Sequence, residues 1–409
     1  LVRESDEELF KPVDKVHVTP FLYFLRYAMF AYCIDPSTLQ STDFAECNEL
    51  NQKFSRRYYR IMDNVKGVEG FKKHLINFFI VYDLTIGAFV ISFQGTTTLD
   101  DILLDACGVA VPFDYTDNTS KEKKKVSGLA HEAMLKVAQN CTKLILEKLQ
   151  RDHPFYLRVP IITTGHSLGA GVASITALLL RESGAYAYSI GIATPACLSP
   201  NISEACAKYV VGVINNADIV PRLSECALFN LSSSDRVCLR SDIKKLIAPG
   251  NVFWLREIEK TKDVQEMVQL NANNPFTTSI LARTDCLDRH MSTSYYKSFK
   301  QVDPMANSDA IDFDFSLLLP TLPERKLEPA FLILYLPANV GKAIKSCINR
   351  REFAKVQRSD KRKELVVAPE EIRKLRQEVI DTRNEMLAQY NRVVEEKKQL
   401  ESKLLSLQK

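Results

Sequence analysis

Ser167 stands in Gly165-His166-Ser167-Leu168-Gly169, after the apolar run Val159-Pro160-Ile161-Ile162-Thr163-Thr164 and before the helix-like run Ala170 to Leu180. A serine held on a sharp strand-to-helix turn, with glycines two positions before and after so that strand and helix can close on it, presents its hydroxyl for nucleophilic acyl transfer. The hydroxyl is a weak nucleophile at neutral pH. It needs a histidine to take its proton and a carboxylate to orient that histidine and stabilise its charged form.

Six histidines compete for the role of base. His166 occupies the variable position of the turn, His17, His74 and His153 come too early for a late loop, and His131 opens a helix and suits support of the turn. His290, in Asp285-Cys286-Leu287-Asp288-Arg289-His290-Met291-Ser292, is the best-placed base. A turn of this kind takes its partners in the chain order serine, acid, histidine, so the acid lies between 168 and 289. Asp218 follows the strand-like run Tyr209 to Asn215 and opens Asp218-Ile219-Val220-Pro221-Arg222-Leu223; Asp235, Asp242, Asp285 and Asp288 are the competing carboxylates. The oxyanion of a tetrahedral intermediate requires two preorganised donors. The Leu168 N–H supplies one, and Thr96, in Phe93-Gln94-Gly95-Thr96 after a strand, offers a backbone N–H and a hydroxyl for the other.

These residues must be positioned by a sheet. Ile76 to Tyr82 and Ile86 to Phe93 read as a β-hairpin, and 161–164, 185–193, 209–215 and 252–256 as further buried strands. Helix-like segments at 128–150, 167–183 and 201–207 separate them, which predicts a mostly parallel central sheet flanked by helices. Phe21 to Tyr32 has the apolar density of a buried helix, Phe54 to Met62 reads as another short helix, and Asp114 to Lys125 reads as a solvated loop. The expected organisation is a domain over 1–340 and a basic, charged helical extension over 341–409. In the extension, nine Lys or Arg between 342 and 363 face only Glu352 and Asp360, and a charged helix follows Pro369. Its apolar positions Ile372, Val379, Met386, Val393, Leu400 and Leu407 repeat every seven residues, but the second seam position is poorly filled, so an arm that packs on the body or a partner is expected over a long coiled coil.

With 409 residues, 46% hydrophobic and 25% charged, the chain reads as globular rather than disordered. A net charge of +4 is too balanced to point to nucleic acid. Ten cysteines are scattered without C-x-x-C pairs and read as buried thiols in a reducing compartment. No H-E-x-x-H or Cys/His cluster marks a metal site, and no cofactor is expected. No apolar run reaches the length of a membrane span; the stretch Pro20 to Ile34 is short and interrupted by Arg26. A cytoplasmic or peripheral membrane location follows as the expectation. The chain begins with Leu1, not Met, and reads as a fragment or processed form.

Phe93-Gln94-Gly95-Thr96, Asp100 to Asp105, the turn Gly165 to Gly171, Asp218 to Leu223 and His290-Met291, in that order, resemble the class 3 lipase family. The segment Tyr186-Ala187-Tyr188 through Thr194 to Ser199 is similar to its diacylglycerol lipase branch. The resemblance covers residues 20 to 300. It implies an α/β-hydrolase fold, a Ser167, Asp218, His290 triad, Thr96 and Leu168 as oxyanion donors, and a mobile lid after Thr98, with 102 to 113 as its apolar segment. Gln94 stands where that family commonly has arginine, and Ile102 where tryptophan is frequent at the lid hinge. The activity expected from it is hydrolysis of mono- or diacylglycerol esters at a lipid interface. Phospholipase A1 activity, and a lipase-like signalling or scaffold protein without turnover, are the alternatives. The expected partners are a glycerolipid substrate, an anionic membrane surface met by the basic stretch, and a second copy of the chain through 366–409.

Overall fold

The computed structural model describes residues 10–33, 59–65, 76–83, 86–96, 109–120, 122–153, 156–224, 245–258, 265–270, 283–306 and 318–319. All lie in the first of the two units into which the chain divides, Leu1–Lys326. The expected extension from 341, with its basic stretch and seven-residue repeat, lies outside the described residues, as does the expected lid up to residue 108; the end of its apolar segment, 110 to 113, belongs instead to the strand Ala110–Thr116.

The strands are β1 Phe10–Pro12, β2 Tyr59–Val65, β3 Phe78–Asp83, β4 Ala88–Phe93, β5 Ala110–Thr116, β6 Lys125–His131, β7 Ile161–His166, β8 Ala187–Ile192, β9 Val210–Asn215, β10 Asn251–Glu257 and β11 Gln265–Leu270. The α-helices are α1 Val18–Cys33, α2 Glu132–Asp152, α3 Leu168–Glu182, α4 Pro200–Ala205 and α5 Ser292–Val302. Nine strands form one sheet in the order β1-β11-β10-β9-β8-β7-β4-β3-β2, and β5 and β6 form a separate hairpin. The consecutive pairs from β4 through β7, β8 and β9 to β10 are parallel, and both flanks are antiparallel. This is the mainly parallel, helix-flanked sheet expected of an α/β-hydrolase.

The parallel centre has a physical origin. Every residue of β4, β7, β8 and β9 is buried, as required of strands covered on both faces. α2 buries Met134, Val137, Ala138, Cys141, Ile145 and Leu149, a single stripe at helical spacing. Its first turn is capped by His131, whose Nδ1 accepts the Met134 N–H. α1 differs in being buried nearly all round, with Pro20 tolerated in its first turn. Phe21 meets Phe253 edge-on at 5.3 Å, and Tyr23 and Tyr27 both donate to the buried Asp83 carboxylate at the end of β3. Among the described residues Cys141, Cys197, Cys206 and Cys286 are free thiols.

Two local expectations are corrected. The helix read over Phe54 to Met62 is a strand from Tyr59, paired antiparallel to β3 with a bulge between Ile61 and Asp63. The i, i+4 spacing of Phe54, Tyr58 and Met62 fits a helix, but the open edge of β3 offers a ladder that local pattern does not reveal. The polar run from Asp114 is not simply a solvated loop: Asp114 to Thr116 and Lys125 belong to the β5–β6 hairpin, with Asp114 paired to Lys125 at 2.7 Å. Asp117 at its tip turns inward to Arg181 of α3 at 2.9 Å.

Candidate active site

β7 ends at His166 and α3 begins at Leu168, leaving Ser167 as the single residue of the turn. Its φ of 58° and ψ of −130° lie in a region that L-residues rarely adopt, and such strain persists only where the surroundings over-determine it. The surroundings are glycines. A Cβ on Gly165 would lie 2.5 Å from the Gly169 carbonyl carbon, and one on Gly169 would strike the Phe93 carbonyl oxygen at the end of β4. Removing both side chains lets β7, α3 and β4 converge under the serine.

The convergence brings three distant segments together. His290 Nε2 lies 2.9 Å from Ser167 Oγ, and His290 Nδ1 lies 3.1 Å from each Asp218 oxygen. Ser167, Asp218 and His290 are each 1% exposed or less. Asp218 sits just past β9, and its Oδ1 accepts the Val220 N–H at 3.0 Å, which turns the chain into a one-turn helix at Val220–Arg222. Arg222 is buried completely and donates to the Asp218 and Asn216 carbonyls at 3.1 and 2.7 Å. Burial pulls its pKa down to about 10, so it stays charged at neutral pH behind the carboxylate. Of the competing acids, Asp235 and Asp242 lie outside the described residues, and Asp285 is engaged by Arg283 and Arg289. Asp288 opens the one-turn helix Asp288–His290, a loop-shaping place.

The two expected oxyanion donors belong to the segments that meet at the turn. Leu168 is the first residue of α3, so its N–H has no acceptor within the helix. Gly95 packs on the turn so closely that a Cβ there would fall on the His166 carbonyl oxygen and the Tyr32 hydroxyl. This brings the Phe93 to Thr96 segment alongside Ser167. The Thr96 hydroxyl is buried and has no hydrogen-bond partner among the described residues. A buried hydroxyl without a partner is costly in a resting fold and useful where negative charge develops. Gln94 is turned away, its side chain accepting from Asn77 at 2.7 Å.

Three further residues shape the site without a signal in the sequence. Tyr295, from α5, donates to Asp218 Oδ2 at 2.6 Å and accepts the Asn215 N–H at 2.9 Å. Burial and the neighbouring carboxylate push its pKa well above the ordinary phenol range, so it remains a donor. Asn215 donates to the Arg289 carbonyl at 3.0 Å and so ties the end of β9 to the loop carrying His290. His166, assigned only the variable turn position, packs its ring 4.8 Å from that of His290. The spacing of Tyr295 from His290 puts it early on the following helix, but nothing in the one-dimensional pattern points it at Asp218. Among the described residues no group of three His, Cys, Asp or Glu side chains is placed to hold a metal ion.

A central sheet of this order, with a strained serine after one parallel strand, a carboxylate after another and a histidine joining them, defines an α/β-hydrolase with a Ser-His-Asp constellation. Residues 90–228 match the family model described as Lipase (class 3), so the resemblance seen in the sequence rests on a matched segment that contains Ser167 and Asp218. A fungal lipase crystal structure superposes with a TM-score of 0.51 at 17% identity, covering 70% of this chain and 98% of that one. Rat diacylglycerol lipase-alpha is 27% identical over 210 residues, 49% of this chain and 20% of that protein. Mouse diacylglycerol lipase-beta is 24% identical over 156 residues, 37% of this chain and 22% of that protein. The match therefore spans about a fifth of the length of these relatives.

Proposed function

We propose that this chain hydrolyses acyl esters of glycerolipids, mono- or diacylglycerols, through an acyl-enzyme intermediate formed on Ser167. The observation that carries the reading is the hydrogen-bonded sequence Ser167 Oγ, His290 Nε2, His290 Nδ1, Asp218, built on a strained serine. In the first half-reaction Ser167 Oγ attacks the ester carbonyl carbon while its proton passes to His290 Nε2. The carbonyl oxygen becomes an oxyanion facing the Leu168 N–H and Thr96, donors that together lower the barrier by several kcal/mol. Collapse breaks the ester bond, and the departing glycerol oxygen takes the proton from His290. Water then attacks the acyl-serine with the same base, releasing the fatty acid and regenerating Ser167. Asp218 keeps the hydrogen on Nδ1 and stabilises the imidazolium.

The choice of glycerolipid rests on the diacylglycerol lipase relatives and on apolar surface near the site. Met291, next to His290, is 50% exposed, and Val109, within the segment 102 to 113 read as the apolar part of the lid, is 63% exposed. Nine basic residues between 342 and 363 support contact with an anionic membrane surface, where each adds about 1 kcal/mol. Among the described residues no helix is long and apolar enough to cross a membrane.

A fluorophosphonate probe tests the reading. Wild-type protein should be labelled and Ser167→Ala should not, and a panel of mono-, di- and triacylglycerols and phospholipids should show turnover highest with the first two. Turnover of phospholipid sn-1 esters above acylglycerols would redirect the assignment to phospholipase A1. No labelling and no ester turnover, with detergent or vesicles present, would leave the scaffold reading.

A further inference from the structure

We propose that His166, backed by Tyr32, is a positioning residue that holds the backbone and ring of His290 over Ser167. The inference rests on the reading of Ser167 and His290 as nucleophile and base. His166 Nε2 lies 2.8 Å from the His290 carbonyl oxygen. A carbonyl oxygen only accepts, so Nε2 carries the hydrogen, and Nδ1 is left as an acceptor facing the Tyr32 hydroxyl at 3.3 Å. The His290 carbonyl thus sets the tautomer, and the Tyr32 hydroxyl, able to donate, suits the Nδ1 that it leaves as acceptor.

The loop carrying His290 is a single helical turn, Asp288–His290, with little regular structure to fix it. Its last two carbonyls are each gripped by another element: Arg289 by the Asn215 side chain at 3.0 Å, and His290 by His166. His166 is also the residue covalently before Ser167. One residue therefore ties the backbone of the base to that of the nucleophile through one peptide bond and one hydrogen bond.

The electrostatics suit this role. The titratable groups around the two rings are Tyr32 from α1, Asp218 and Arg222 from the segment after β9, and Tyr295 from α5. Burial, with the nearby His290, depresses His166 to a pKa of about 3, against the opposing effects of its bond to the His290 carbonyl and the Asp218 charge. His166 stays neutral while its neighbour takes the serine proton, and it adds no repulsion to the imidazolium that forms.

Two neutral amides of different reach separate positioning from packing. The glutamine amide of His166→Gln presents an N–H near the place of Nε2, whereas that of His166→Asn falls nearer Nδ1 and cannot reach the His290 carbonyl. With a water-soluble short-chain ester and the full chain, His166→Gln should keep near wild-type kcat. His166→Asn should lose about tenfold to a hundredfold in kcat at unchanged KM, the scale expected of a misplaced catalytic group. Equal kcat in the two variants, both high or both low, overturns the proposal. Should the Asn variant fail to fold, Tyr32→Phe decides: a severalfold fall in kcat at unchanged KM supports it, and wild-type kcat overturns it. Ser167→Ala in the same series keeps the two readings apart. Activity surviving there defeats the nucleophile assignment, whereas a dead Ser167→Ala with indistinguishable His166 variants defeats the positioning role only.

Discussion

Three donors converge on the Asp218 carboxylate: His290 Nδ1 at 3.1 Å, the Tyr295 hydroxyl at 2.6 Å and the Val220 N–H at 3.0 Å. Asp218→Asn keeps the shape of the group but turns an N–H toward one of them and forces His290 toward the wrong tautomer. We expect kcat to fall by about four orders of magnitude while the denaturation midpoint stays near wild type, measured side by side on one preparation. His166 makes a second prediction, about stability. In the unfolded chain it takes up a proton near pH 6.5, but in the fold only near pH 3. Between those values the unfolded state binds the extra proton, so stability falls as pH drops through 6.5 toward 3. For this group alone the loss from pH 7 to pH 5 is about 2 kcal/mol. Urea unfolding of His166→Gln should show a shallower loss over that interval, and an identical slope would remove His166 as its source.

Arg181 shows at the scale of elements what the polar run from Asp114 does. Its guanidinium leaves the last turn of α3, donates to Asp117 and to the Thr119 hydroxyl at the hairpin tip, and lies 3.9 Å from the centre of the Tyr209 ring. It also donates to the Ala187 carbonyl at the start of β8. One buried charge thus joins α3, β8, the residue before β9 and the β5–β6 hairpin. Asp117→Ala strands that charge, with an expected loss of about 3 kcal/mol in chemical denaturation. Adding Arg181→Met should restore part of it, because two neutral groups leave no buried ion unpaired. A double variant less stable than Asp117→Ala would show that the arginine acts chiefly through its rings and carbonyl. From the sequence this run reads as solvated because seven of its residues are charged, and the partner that draws one inward lies 64 residues away.

For the whole molecule, the parallel block explains why the candidate groups meet. Thr96 follows β4, Ser167 follows β7 and Asp218 follows β9, and in a parallel sheet all three ends open on the same edge. His290 reaches that edge from a loop braced by Arg289 against Glu257 at 2.6 Å, at the end of β10. The chain's basic residues are the other feature of this scale. Replacing the nine Lys and Arg of 342–363 by Gln should weaken sedimentation with anionic vesicles and leave turnover of a soluble ester intact. Wild-type binding should itself fall as salt rises. Vesicle binding that is equal in the two proteins would move the membrane contact elsewhere on the molecule.

By itself the sequence determined what covalent order and local sterics can carry. Glycines at 165 and 169 mark a turn only a close strand–helix crossing needs, uninterrupted apolar runs mark buried parallel strands, and chain order selects a late histidine and an intervening acid. Those signals select Ser167, Asp218 and His290, which the fold joins by hydrogen bonds, and propose Thr96 and Leu168 as oxyanion donors. The tertiary structure decided what depends on partners far along the chain. The edge of β3 made a strand of Tyr59–Val65, Arg181 drew Asp117 inward, and α1 and α5 delivered Tyr32 and Tyr295 to a site no periodicity connects them with. Hydrogen bonds and buried charges are satisfied by whatever the fold brings near, and nearness across 60 to 134 residues is not written in local pattern.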